Sequence, residues 1–265
     1  MKKSFFSVLT AVILSIAVNS CTAPKETAVR EPAKEVKPIT STFKMLSINT
    51  SHQLRDAGDV KKFAQWVKST GAEIVAVQQI ERATDIKPGF DAVMELTKKL
   101  DMRSTFAKAR YLDGWDSGNA LLCMYPLLQS DVFMLPVGKG KIRRSLSFGV
   151  FEMGLKSIAF ASTELDESDH TERANQVAEI LSIQSSMKEY PIVVAGNFSE
   201  SAKGKTTSRL LGKYLSVNET TDQTAPLTQQ IFVPKERSMN ILSAEKVSYK
   251  PFSQNGVLVT IEVVQ

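Results

Sequence analysis

Histidine and cysteine are scarce in this 265-residue chain, with two of each, and so is tryptophan, with only Trp66 and Trp115. Long apolar runs are missing too. The one stretch of that kind, Phe5 to Val18, is too short to span a bilayer comfortably. There is no internal repeat, and no strong charge imbalance: 33 Lys and Arg stand against 28 Asp and Glu, a formal charge of +5. Nucleic-acid binders concentrate Lys and Arg in a patch, so this mild balance makes nucleic acid an unpromising partner. Cys123, in the run Ala120-Leu121-Leu122-Cys123-Met124, reads as a small buried side chain rather than a reactive thiol. His170 reads as a solvated neighbour of a helix cap. His52, close behind Asn49, either lines a cleft with it or, as a lone loop histidine is by default, stands exposed.

What is present begins with an address. Lys2 and Lys3 precede the apolar run, and Val18-Asn19-Ser20-Cys21 follows it. This resembles a bacterial lipoprotein signal, in which the cysteine is lipidated and becomes the new N-terminus. Residues 1–20 are then a signal peptide, Cys21 is the lipid site, and the protein is held in the cell envelope by its lipid, on a leaflet left open. With Cys21 acylated, no cysteine pair is left for a disulfide. Cleavage leaves 245 residues (265 minus 20) and lowers the formal charge to about +3, since it removes two lysines and no acid. Residues 21–42 carry Pro24, Pro32 and Pro38, alternating charges and almost no large apolar group. They read as an extended tether reaching up to about 65 Å.

A single large domain occupies residues 43–265. Phe43 to Ile48 reads as a strand buried on most of both faces, and Val60, Phe63, Ala64 and Val67 recur at helical spacing up to Gly71. Ile74 to Val77 is a short β-branched strand, and Phe90 to Leu100 is helical again. The middle is strand-rich: Thr105–Ala109, Asn119–Met124, Val132–Leu135, Ser145–Phe151 and Ser157–Ser162. Thr171 to Met187 predicts a helix with Ala174, Val177, Ala178, Leu181 and Ile183 inward, opened by a capping-box-like Asp169/Glu172 pair. Ile192–Ala195 is a strand, Leu210, Leu211 and Leu215 suggest a short helix, and Gln230–Val233 and Val257–Val263 close the chain as strands. Many strands with interleaved helices, without strict βαβ alternation, suit two packed sheets flanked by helices.

Five stretches stand at the ends of these elements: Ser47-Ile48-Asn49-Thr50, Val77-Gln78-Gln79-Ile80, Ser162-Thr163-Glu164-Leu165-Asp166, Ala195-Gly196-Asn197-Phe198-Ser199 and Ser253-Gln254-Asn255-Gly256-Val257. Their order and spacing resemble the endonuclease/exonuclease/phosphatase superfamily, which includes DNase I-like nucleases, sphingomyelinases and inositol polyphosphate phosphatases. Gly118-Asn119-Ala120-Leu121-Leu122 resembles the family's Gly-Asn-Ala-hydrophobic strand, and Arg173 with Gln176 its Arg-x-x-Gln helix start. The resemblance covers essentially all of residues 43–265. It implies an α/β fold of four layers, an α/β/β/α sandwich with two mixed sheets and the site at one edge of both.

The family reads Asn, then Gln-Glu, Thr-His-Leu, Gly-Asp-x-Asn and Ser-Asp-His. Against that pattern this chain keeps Asn49 but has Gln79 for the metal-binding glutamate, Asn197 for the aspartate that activates water, Ser199 for the following Asn, Glu164 and Asn255 for the two histidines, and Gln254 for the aspartate beside the second. Gln229 falls where a further aspartate is expected. Hydrolysing a phosphodiester needs an activated water, charge neutralisation on the phosphoryl oxygens and help for the leaving group. An amide brings no charge to Mg²⁺, a cation normally held by one or two carboxylates. Asn197 accepts no proton in the working pH range, and Glu164 repels phosphate.

The expectation is therefore a lipid-anchored protein with a catalytically degenerate domain and no catalytic residues, requiring no cofactor. It acts as a binding or interaction module for an unidentified polar ligand or a protein partner, besides its membrane contact through Cys21. The alternative is a working phosphodiesterase or phosphatase using Mg²⁺ or Mn²⁺ in a rearranged site, on Glu164 with Asp166 or Glu81. Three side chains are candidate neighbours of the cleft. Trp115 is a loop aromatic suited to stacking on a ring. Arg144 closes the basic cluster Lys139-Gly140-Lys141-Ile142-Arg143-Arg144, by default a solvated hairpin turn; the resemblance implies an arginine near the start of the following strand close to the site, which makes Arg143 or Arg144 a candidate to meet an anion. Gln229 is the third. Trp66 reads as helix surface or core.

Overall fold

The computed structural model describes residues 40–86, 88–219, 228–235 and 238–264. The residues read as signal peptide, lipid site and tether, up to residue 39, lie outside the described residues. Among the described residues no helix is long and apolar enough to cross a membrane.

The chain runs β1 (Thr40–Asn49), α1 (Ala57–Thr70), β2 (Ile74–Arg82), α2 (Ala92–Leu100), β3 (Arg103–Leu112), β4 (Trp115–Cys123), β5 (Leu127–Met134), β6 (Ser145–Met153), β7 (Lys156–Glu164), α3 (His170–Ser186), β8 (Ile192–Asn197), a 3₁₀ helix (Thr207–Gly212), β9 (Tyr214–Ser216), β10 (Gln229–Pro234), β11 (Met239–Val247) and β12 (Gly256–Val264), with a second 3₁₀ turn (Val217–Glu219) after β9. The strands form two six-stranded mixed sheets, ordered β11-β12-β1-β2-β4-β3 and β5-β6-β7-β8-β10-β9. β1 and β2 are parallel in the first sheet, as are β7 and β8 in the second.

Strand alternation sorts the side chains into layers. Phe43 and Met45 of β1, Ile74 and Ala76 of β2, Phe160 of β7, Val193 and Ala195 of β8 and Ile231 and Val233 of β10 fill the space between the sheets. The opposite faces carry Leu46, Ile48, Val75 and Val77, covered by α1 and α2, and Ala159, Ala161 and Val194, covered by α3. The result is the expected four-layer α/β/β/α sandwich, the DNase I-like architecture. Each helix opens on an aspartate that accepts backbone N–H bonds: Asp56 from Asp59, Asp91 from Met94 and Asp169 from Thr171 and Glu172. α1 stops at Gly71, which takes a left-handed φ of 71°.

Several expectations need correction. β1 starts at Thr40, so the domain takes in the last residues assigned to the tether. On α3 Val177 and Ile183 are buried and Leu181 packs against the same cluster, as expected, but Ala178 is exposed and Ile180 is buried in addition. Asp169 caps that helix, but Glu172 reaches away to accept from the Gly138 N–H at 3.0 Å, so there is no capping box. Leu215 lies in β9, outside the 3₁₀ helix that carries Leu210 and Leu211. β11 has no alternating signal because a bulge between Ile241 and Ser243 resets its inside/outside phase at a sheet edge. Trp115 begins β4 rather than lying in a loop.

Gly196 permits the closest approach between strands near the cleft: a Cβ there would sit 1.8 Å from the Thr163 carbonyl oxygen. Gly196→Ala must therefore push β7 and β8 apart. We expect it to lower stability by about 3 kcal/mol in urea denaturation; an unchanged midpoint would contradict this packing.

Candidate functional site

β1, β2, β7 and β8 all end on one edge of the sandwich, and their period of two decides what gathers there. Above the apolar inter-sheet residues comes a polar row made of Ser47, Gln78, Ser162 and Gln229, each on the inward face of its strand. Gln229 donates to Ser47 Oγ at 2.7 Å and to Gln78 Oε1 at 2.6 Å, and Gln78 donates to Ser162 Oγ at 3.1 Å. Gln229 is thus a tie between the sheets, 1% exposed, one layer beneath the cleft and not beside it.

Two residues further along the same faces stand Asn49, Glu164 and Asn197. Gln79 joins them by a different route. Regular alternation would turn it toward α1 and α2, but β2 bulges between Gln78 and Ile80 and Gln79 takes φ 52°. Its amide then donates to Glu164 Oε1 at 2.7 Å, and Asn49 Nδ2 donates to the same oxygen at 3.3 Å. Arg144 precedes β6 and lies beside the end of β7. It donates from Nη1 to Glu164 Oε2 at 2.5 Å, with both side chains almost wholly buried. The expected solvated turn holds for exposed Arg143 but fails for Arg144, whose Nε is left without a protein partner. Burial pushes the Glu164 carboxyl above its ordinary range, opposed by the Arg144 guanidinium and the Gln79 amide.

The retained Asn49 and the other substituted positions serve the loops. Asn49 Oδ1 accepts from the Ser51 N–H at 2.8 Å and Asn197 Oδ1 from the Ser199 N–H at 3.0 Å, so both close Asx turns. Asn197 Nδ2 donates to Gln254 Oε1 at 3.3 Å, which ties the β8 end to the segment before β12. Asn255 is half-buried in that segment. Ser199 Oγ donates to the Leu165 carbonyl at 3.4 Å. Arg173 and Gln176, both buried, bind the main chain of Asp166 and so brace the loop that leaves Glu164.

The default reading of His52 as exposed fails, and the reading that it lines a cleft holds. His52 is half-buried and pairs through Nδ1 with Glu81, while its Nε2 faces Arg110 Nη2 at 3.4 Å. No periodicity pointed to Arg110, which a bulge in β3 between Lys108 and Arg110 shifts out of register.

Does this set suit a divalent cation? Glu164 is engaged by Arg144, Glu81 by His52, and Asp166 accepts from the Ser168 and Asp169 N–H groups at 3.0 and 2.7 Å. Among the described residues no three His, Cys, Asp or Glu side chains gather as a metal centre would require. A guanidinium directly on the one carboxylate of the cleft opposes a second positive charge there. The carboxylates of both pairs that the sequence offered, Glu164 with Asp166 and Glu164 with Glu81, are already engaged by protein partners, an arrangement that does not suit Mg²⁺ or Mn²⁺.

Solved structures that share this architecture include proteins named as members of the endonuclease/exonuclease/phosphatase family. A family protein from Bacteroides thetaiotaomicron aligns with a TM-score of 0.68 at 12% identity, over 86% of this chain and 100% of its own. The catalytic domain of human nocturnin, with bound sulfate, gives 0.67 at 15% identity over 85% and 96%. A mannosyl-6-phosphatase from Bacteroides thetaiotaomicron gives 0.66 at 13% identity over 83% and 99%. At these identities the likeness establishes the fold. No family model and no curated protein matches the sequence.

Removing Arg144 alone should be costly. Arg144→Met leaves a buried carboxylate unpaired, and we expect a loss of about 3–5 kcal/mol at pH 7, largely recovered in the Arg144→Met/Glu164→Met double variant. The pH dependence has a definite sign. Without the guanidinium the Glu164 pKa rises further above its unfolded value, so the variant's deficit is small below about pH 4 and grows as pH rises. Denaturation curves at several pH values check both; a deficit independent of pH would contradict the pairing.

Proposed function

We propose that this domain is a binding module built on a phosphoesterase fold, held at a bacterial envelope by a lipid on Cys21, and that its cleft does not hydrolyse phosphoesters. The observation that carries the reading is the environment of Glu164. Arg144, Asn49 and Gln79 converge on its carboxylate as donors would converge on a bound anion. A phosphate entering here meets a negative oxygen pair already holding those donors.

The remaining groups offer no replacement chemistry. Asn197 and Gln254 hydrogen-bond each other, and neither takes up a proton near neutral pH. A positioned acid or base contributes ~10²–10⁴ in rate and a charge-stabilising donor ~10²–10³. Such effects do not multiply within one site; here the donors are taken up by Glu164, and the nearby imidazole of His52 is paired with Glu81. Nocturnin with its sulfate and the mannosyl phosphatase are proteins of this fold that meet anionic groups. In this chain the corresponding edge is lined by amides, hydroxyls and an internal ion pair, a surface suited to uncharged polar ligands. No cofactor is needed for that role.

Purified full-length chain incubated with bis(p-nitrophenyl) phosphate and p-nitrophenyl phosphate, with Mg²⁺ or Mn²⁺, should release p-nitrophenol no faster than the Glu164→Ala variant or buffer. Turnover that EDTA abolishes and that the Glu164 substitution removes would sink the reading. For the anchor, Cys21→Ala should move the protein from the membrane fraction to the soluble one; unchanged membrane association would argue against lipidation.

A further inference from the structure

A second concavity lies beside the Glu164 centre and shares with it the His52 wall. The β1–α1 connection, the end of β2, the approach to α2 and the β3–β4 hairpin enclose a cavity of about 300 Å³. Its apolar lining comes from Leu54, Phe90, Leu112 and Trp115, and its polar lining from His52, Arg55, Glu81 and Asp113.

The wall is held in a strained conformation. Ser51 and His52 are consecutive non-glycine residues with φ of 49° and 58°, a backbone state that costs about 1–3 kcal/mol per residue and needs outside support. Support is present: Thr50 N–H donates to the Gln78 carbonyl at 3.0 Å, His52 N–H to the Gln79 carbonyl at 3.1 Å, and Thr50 Oγ1 to the same Gln79 carbonyl at 2.6 Å. These bonds set the His52 ring against Glu81. Across the cavity, Asp113 and Gly114 have φ of 50° and 91°, the positive pair of a tight two-residue hairpin turn, which fixes where Trp115 starts its strand.

We infer that this cavity binds one hydroxylated ring, a single pyranose residue of a glycan, against Trp115, with its hydroxyls shared among Arg55, Asp113 and Glu81. The volume stands at the small end of the roughly 300–1,000 Å³ typical of ligand sites, which suits one ring rather than an oligomer. Aromatic side chains supply the apolar contact that the C–H face of a pyranose offers. A guanidinium donates and carboxylates accept, so hydroxyls, which do both, are matched by this rim. Two carboxylates on that rim disfavour a phosphorylated ligand. The inference goes beyond the proposed function and stands whether or not the Glu164 centre is silent.

Trp66→Phe leaves Trp115 as the one indole of the chain, and phenylalanine retains the aromatic contact of Trp66 with Phe63 and Tyr249. The full-length variant, in a non-glycosidic detergent, is titrated with the methyl glycosides of glucose, mannose, galactose and N-acetylglucosamine, with adenosine as a flat-ring comparison. At least one glycoside should give a saturable change in Trp115 emission at millimolar concentration, weakened about tenfold or more by Arg55→Ala and by Asp113→Asn. Calorimetry on the unsubstituted chain reads the same binding without the Trp66 change. Saturation by adenosine alone, by no glycoside, or by a glycoside indifferent to both rim substitutions would overturn the assignment.

Discussion

The Glu164–Arg144 ion pair is the contact on which the upper edge of this molecule depends. Withdrawing two charges from water costs several kcal/mol each, and a buried pair is tolerated only when other hydrogen bonds complete it. Here they come from the opposite sheet: Asn49 and Gln79, of the first, donate to Glu164, of the second. Below this level the sheets are joined by apolar side chains and by the amide and hydroxyl row through Gln229. At the strand ends the carboxylate takes over that joining role. One contact therefore accounts for two properties, a closed sheet edge and a set of anion donors already occupied.

Much of the architecture was legible because β-branched runs and helical periodicities survive in a single sequence. Ile74–Val77, Ile192–Ala195 and the Val60/Phe63/Ala64/Val67 set form the elements they announce. The misreadings share a physical cause. β11 is a bulged edge strand, and Ala178 and Ile180 are distinguished only by the width of the face α3 presents to its sheet. Trp115 looks like loop sequence because the tight Asp113-Gly114 turn leaves almost no loop to belong to.

The candidate site was legible as a list of substitutions but not as an arrangement. Motif order brings Asn49, Glu164 and Asn197 to one edge because their strands end together. Nothing local announces that Arg144, in a run of exposed lysines and arginines, turns inward, since the reason is a carboxylate twenty residues later. The same holds for His52, whose partner Glu81 is brought near by backbone states with positive φ at Ser51, His52 and Gln79. Those states resist prediction because non-glycine residues adopt them only when tertiary hydrogen bonds compel it. They cluster here, between the Glu164 centre and the cavity beside it.

The most direct test of the central claim is calorimetric titration with inorganic phosphate of the unsubstituted chain and of Glu164→Ala. If the carboxylate fills an anion site, the unsubstituted chain binds no phosphate in the cleft, whereas Glu164→Ala, with Arg144, Asn49 and Gln79 released, gains saturable binding that Arg144→Met then removes. Phosphate binding by the unsubstituted chain that requires Arg144, or none gained by a folded Glu164→Ala, would contradict it.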